Sequence, residues 1–111
     1  MHVVIFEVEP TEEGRETYLE IAGQLRAELE TIDGFVSIER FESLVTPGKV
    51  LSLSTWRDEA SIQRWREREA HRAAQDRGRE ELFKRYRIRV ADVVRDYDLK
   101  TSPWRDEGTT R

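Results

Sequence analysis

Residues 32–78, IDGFVSIERFESLVTPGKVLSLSTWRDEASIQRWREREAHRAAQDRG, decide the fold. Phe35 to Leu44 and Val50 to Trp56 are rich in β-branched, aromatic and leucine residues. Thr46-Pro47-Gly48-Lys49 between them is a strong turn signal, so the two segments predict a hairpin. In the second segment Leu51 and Leu53 point one way, and Ser52, Ser54 and Trp56 the other. In the first, both faces carry apolar groups: Phe35 and Phe41 on one, Val36, Ile38 and Leu44 on the other. Asp58 is placed to cap a charged helix in which Ile62 and Trp65 share a face. A strand, a turn, a strand and an aromatic-bearing helix can together wall a small pocket.

Working outward, His2 to Glu9 reads as a first strand stopped by Pro10. Thr11 is a candidate helix N-cap, with Glu12 and Glu13 where the helix dipole favours negative charge. Tyr18, Ile21, Ala22, Leu25, Leu29 and Ile32 then fall in one amphipathic stripe, which Asp33-Gly34 closes. After Trp65 the helical pattern bends near Ala70-His71 and resumes to about Phe83. Gly78 within it disfavours helix by roughly 1 kcal/mol relative to alanine. Tyr86 to Tyr97 reads as a fourth strand. Tyr86, Ile88, Val90 and Asp92 lie on one side, and Arg87, Arg89, Ala91, Val93 and Arg95 on the other.

The order β-α-β-β-α-β predicts an α+β fold: the ferredoxin-like split β-α-β, with a four-stranded antiparallel sheet and both helices on one face. The other face is then bare, yet too apolar for solvent. A second copy packing sheet against sheet answers that, so a homodimer is predicted. Residues 1–97 make one domain, and 98–111 a polar tail carrying Trp104.

Charged residues make up 38% of the chain and hydrophobic ones 37%, which allows only a thin core and again favours oligomerisation. The net charge of -4 comes from interspersed signs and offers no basic face for nucleic acid. With no cysteine, disulfides, thiolate metal sites and cysteine nucleophiles are excluded. No apolar run is long enough to span a membrane. The first residues lack the basic region of a signal peptide, so a cytoplasmic protein is expected. His2 and His71 are far apart and no HExxH accompanies them, so no metal is expected. Nor is there a glycine-rich phosphate loop, a GxSxG elbow or any pattern that supports flavin, so no cofactor is expected.

The segments IDGFVSIERFES, PGKVLSLSTWRDEASIQRW, EAHRAAQDRGR and YRIRVADVVRDY together resemble the antibiotic biosynthesis monooxygenase domain, of the dimeric α+β barrel superfamily. The resemblance covers about residues 2 to 97. One branch of that family oxidises aromatic polyketides without a cofactor. A phenolic substrate is deprotonated and its electron-rich anion reduces dioxygen. By this resemblance Trp65 is a pocket tryptophan and His71 a base or hydrogen-bond donor. Gln75, Tyr86 and Trp56 are the residues expected to contact the substrate. A second branch degrades haem. It shares Trp65 at the same distance after Trp56, but requires a histidine near Gln75 and an asparagine in the first strand, where this chain has Phe6 or Glu7. The resemblance therefore implies a cofactor-independent monooxygenase of an aromatic or quinone-type molecule. The alternative is a non-catalytic ligand-binding or stress-related dimer using the same cavity. The ordinary reading of the same residues is structural: Trp65 and Trp56 as core anchors, His71 at a helix boundary, His2 exposed on a strand and Tyr86 at a sheet end.

Overall fold

Val50–Trp56 forms the strand β3, and it shows how the whole sheet is built. Val50, Ser52, Ser54 and Trp56 are buried, while Leu51, Leu53 and Thr55 between them are only partly covered. One face of the strand lies under helices and the other does not. Around it, in a computed structural model of the chain, stand β1 (His2–Pro10), α1 (Arg15–Leu29), β2 (Phe35–Glu42), α2 (Glu59–Gln75), a 3-10 turn (Arg79–Leu82) and β4 (Phe83–Asp92). The structure describes residues 1–75 and 79–103, and side chains for 1–69 and 81–103. Trp104 and Gly78, singled out in the sequence, lie outside the described residues.

The strands run β2-β3-β1-β4, each antiparallel to its neighbours. This is the split β-α-β arrangement the element order predicts. The connection through α1 crosses β3, and the connection through α2 crosses β1. The core divides in two. Val8, Tyr18, Ala22 and Val50 form one cluster, joined by Phe6 and Phe83. Leu29, Ile32, Trp56 and Ile62 form the other, joined by Val4, Phe35, Ile38 and Trp65. Burial raises the Tyr18 hydroxyl above its ordinary pKa, and the nearby Arg40 guanidinium partly offsets this.

Three local readings are corrected. Helix α1 starts at Arg15, not beside Thr11. The Thr11 hydroxyl accepts from the Gly14 amide at 2.9 Å and closes a turn ahead of the helix. In β2, Phe35 pairs with Trp56 and Ser37 with Thr55, so Val36 is an extra residue. This bulge shifts the alternation by one. Phe35 therefore joins Ile38 against the core, rather than lying with Phe41. Finally, β4 starts at Phe83 and ends at Asp92, earlier than the Tyr86 to Tyr97 expected. The bend expected near Ala70-His71 is absent, because α2 continues through it to Gln75, and the 3-10 turn that precedes β4 is anchored where the Thr11 amide donates to the Leu82 carbonyl at 2.8 Å.

Asp58 caps α2 as its position predicts: its carboxylate accepts from the Ser61 amide at 2.9 Å. Arg57 grips both Asp33, through two 3.1 Å hydrogen bonds, and Asp58. Gly34 lies between these partners with φ +96°, and a Cβ there would overlap Ser61.

Candidate active site on the helix face of the sheet

Residues paired across the strands point to the same face, so the helix side of the sheet can be read in rows. From β3 through β1 to β4 they are Trp56–His2–Asp92, Ser54–Val4–Val90, Ser52–Phe6–Ile88 and Val50–Val8–Tyr86. The β3 and β1 columns lie beneath the helices. The β4 column does not: Tyr86, Ile88 and Val90 are 58%, 55% and 45% exposed. An apolar stripe thus runs along the edge strand on the face the helices otherwise cover.

Aromatic rings stand at both ends of the helix face. At one end Tyr86 meets Phe6 at 5.8 Å and Phe83 at 6.0 Å between ring centres, edge to face, and Phe83 meets Tyr18 at 5.5 Å. At the other end Trp56 packs edge to face on Phe35 at 5.3 Å, and half-buried Trp65 belongs to the same cluster. The Trp56 indole N–H donates to the Ser54 hydroxyl at 2.9 Å, which satisfies the polar atom of a ring that is 1% exposed.

The sequence-predicted site residues are therefore divided. Trp56 and Trp65 share one cluster, with Trp56 sealed inside the core and Trp65 at its margin. Tyr86 belongs to the other aromatic group, at the row of Val8. His71 and Gln75 lie in the last part of α2, and their side chains are outside the described residues. Trp65 to Gln75 spans ten residues, about 15 Å of helix. From there the chain reaches the 3-10 turn beside Thr11, at the Tyr86 end of the sheet. The latter half of α2 thus travels from the tryptophan end of the helix face towards the tyrosine end.

Phe6, Ile88, Val90, His2 and Asp92 are candidates that only the strand pairing brings forward. The alternation in β4 was visible, but the lack of helical cover over it was not. His2 was read as an exposed strand residue. Instead its side chain is 26% exposed, and its Nε2 lies 4.0 Å from the Asp92 carboxylate. No group of three metal-ligating side chains occurs among the described residues, nor is any helix among them long and apolar enough to cross a membrane.

The bare face differs. Val3, Ile5, Leu51, Leu53 and Ala91 lie there with Phe41. Towards one end Glu7 is held by Lys49 at 3.6 Å and by Arg89 at 3.3 Å, and Glu9 by Arg85 at 3.5 Å. An open hollow of about 300 Å³ lies among these charges and Tyr86, and a second of about 290 Å³ lies between α1 and β2. Trp65 lines neither.

A family model described as antibiotic biosynthesis monooxygenase matches residues 1–77. Jasmonate monooxygenase ABM of Pyricularia oryzae is 47% identical over 103 residues, which are 90% of this chain and 48% of that protein. The chain thus spans about half the length of that curated relative. Rv0793 of Mycobacterium tuberculosis superposes with a TM-score of 0.74 at 17% identity, covering 87% of this chain and 98% of the other. A mutant of MhuD, solved with two manganese protoporphyrin IX molecules per active site, superposes with a TM-score of 0.67 at 18% identity, covering 88% and 99%. At such identities the two structures speak for the fold alone.

Proposed function

The chain belongs to the antibiotic biosynthesis monooxygenase family, and on that premise we propose that it oxygenates a small apolar ring compound, aromatic or quinone-type, held along the open stripe of β4 beside α2. The observation that carries this reading is the half-exposed Tyr86, Ile88 and Val90 on the sheet face that also carries the two aromatic groups. Apolar surface of that kind, at the edge of a covered face, suits a flat hydrophobic ligand.

The chemistry needs little from the protein. Loss of a proton from an enolisable or phenolic ring gives an electron-rich anion, which reduces dioxygen. One oxygen atom ends in the ring as a carbonyl, and the other leaves as water with two substrate hydrogens. Apolar walls exclude bulk water and strengthen the few hydrogen bonds that orient the anion. Trp65 forms the wall on α2, and His71 is the base or hydrogen-bond donor. Gln75 and Tyr86 orient substrate oxygens, and Trp56 supports the wall from the core. A homodimer through the bare face completes this reading. We do not adopt haem degradation. Phe6 stands on the helix face, with its ring packed on Phe83 and Tyr86, and Gln75 brings a neutral amide where an axial histidine is required.

Oxygen uptake tests the proposal. Dithranol, substituted hydroquinones and jasmonate, the last suggested by the relative's name, are offered to the purified protein. At least one is expected to drive uptake above the buffer rate, and Ile88→Arg and Trp65→Ala are expected to abolish it. Tight binding with no uptake would replace the enzyme with a non-catalytic binding dimer. Uptake unchanged in Ile88→Arg would remove the stripe from the account.

A further inference from the structure

The row that ends the stripe is not apolar. We propose that His2 and Asp92 form a hydroxyl-binding clasp at the Asp92 end of the β4 stripe, which fixes the orientation of a ligand carrying a ring hydroxyl. This rests on the stripe being the ligand site and adds which polar group the ligand presents there.

His2 and Asp92 are directly paired across β1 and β4, with Trp56 on the other flank of His2. The backbone around them is tied down, because the Val93 amide donates to the Met1 carbonyl at 2.9 Å just past the pair. The Nδ1 atom of His2 is fully enclosed and has no hydrogen-bond partner among the described residues. The clasp uses the tautomer with its proton on Nε2, which leaves no unpaired N–H buried at Nδ1.

That nitrogen lies 4.0 Å from the Asp92 carboxylate oxygen, too far for a hydrogen bond between them. One oxygen atom can lie about 2.8 Å from each group if it sits beside the line joining them, about 2 Å off it. Nε2–H is then a donor and Asp92 an acceptor that one oxygen atom bridges from the side. A hydroxyl matches both: its oxygen accepts from His2 and its hydrogen goes to Asp92. A carboxylate matches only one and is repelled by Asp92. One row further along, Val90 and Val4 supply the apolar surface for the ring that bears the hydroxyl.

Binding to the full chain is measured with three probes of one shape: 1-naphthol, 1-methylnaphthalene and 1-naphthoate. The wild-type protein is expected to bind the naphthol about tenfold more tightly than the methyl compound, as two added hydrogen bonds allow, and the naphthoate least. Asp92→Ala and His2→Ala are expected to erase the preference for naphthol over methylnaphthalene. The Asp92 side chain is 69% exposed, so Asp92→Ala leaves the fold intact, and its melting temperature checks this. Equal binding of naphthol by wild type and both variants, with methylnaphthalene binding lost in Ile88→Arg, would overturn the clasp and keep the stripe. Failure of the wild-type protein to bind either neutral probe, or full binding in Ile88→Arg, would overturn the stripe and the clasp with it.

Discussion

Two tryptophans, nine residues apart and alike in the sequence, differ in what surrounds them. Trp56 is fully buried and its N–H is satisfied, so Trp56→Ala is expected to cost about 3–5 kcal/mol in urea unfolding. Trp65 is half-buried at the cluster's margin, and Trp65→Ala should cost clearly less stability while removing ligand binding. Equal losses of stability would show that both are core anchors. The family resemblance pointed to Trp65, and hydropathy made both core candidates. Neither could rank them, because the ranking depends on which strand end lies beneath α2. His2 was illegible for a similar reason. Its neighbours Trp56 and Asp92 are 54 and 90 residues away in the chain, and only strand pairing brings them to its sides.

Among the elements, the hairpin and both helices follow from turn chemistry and apolar spacing. The side-chain alternation of β2 does not, because Val36 is an extra residue and nothing in its local sequence marks a bulge. Deleting Val36 would remove the bulge and leave Phe35 opposite Trp56 and Ile38 opposite Ser54 in unbroken alternation on the core face. Retained Phe35 contacts with Trp56 are the expected result, and their loss would contradict the bulge at Val36. The junction of β2 with α2 carries a pH dependence. Hydrogen bonding from Arg57 lowers the Asp33 pKa, and Ser61 followed by Arg57 lowers that of Asp58. Both carboxylates ionise more readily in the folded state, so their contribution is present above the ordinary value of 3.8 and is lost as the pH falls below it. Melting temperature should therefore drop on acidification, and less steeply in a protein carrying Asp33→Asn and Asp58→Asn. These groups lie at the surface, so salt should reduce the effect. An identical acid slope in the double variant would assign the loss to other carboxylates.

At the scale of the molecule, the two faces of one sheet have different chemistry. The helix face holds buried serines and Trp56, with an uncovered apolar strip on β4. The bare face holds Val3, Ile5, Leu51 and Leu53, with ion pairs towards one end. The bare face is legible in the sequence because strands two and four alternate poorly and carry apolar groups on both sides. Leu53→Arg is expected to convert a dimer to a monomer in light scattering and leave the helix-face aromatic groups in place. A dimer that survives the change would assign association to another surface. Amide and indole NMR shifts during titration with 1-naphthol show whether the ligand occupies the helix face. The signals expected to move are Phe6, Ile88, Val90 and the Trp65 indole, with Ile5, Leu51 and Leu53 unmoved. Perturbation confined to Ile5, Leu51 and Leu53, or no shift at saturating probe, would contradict binding on the helix face.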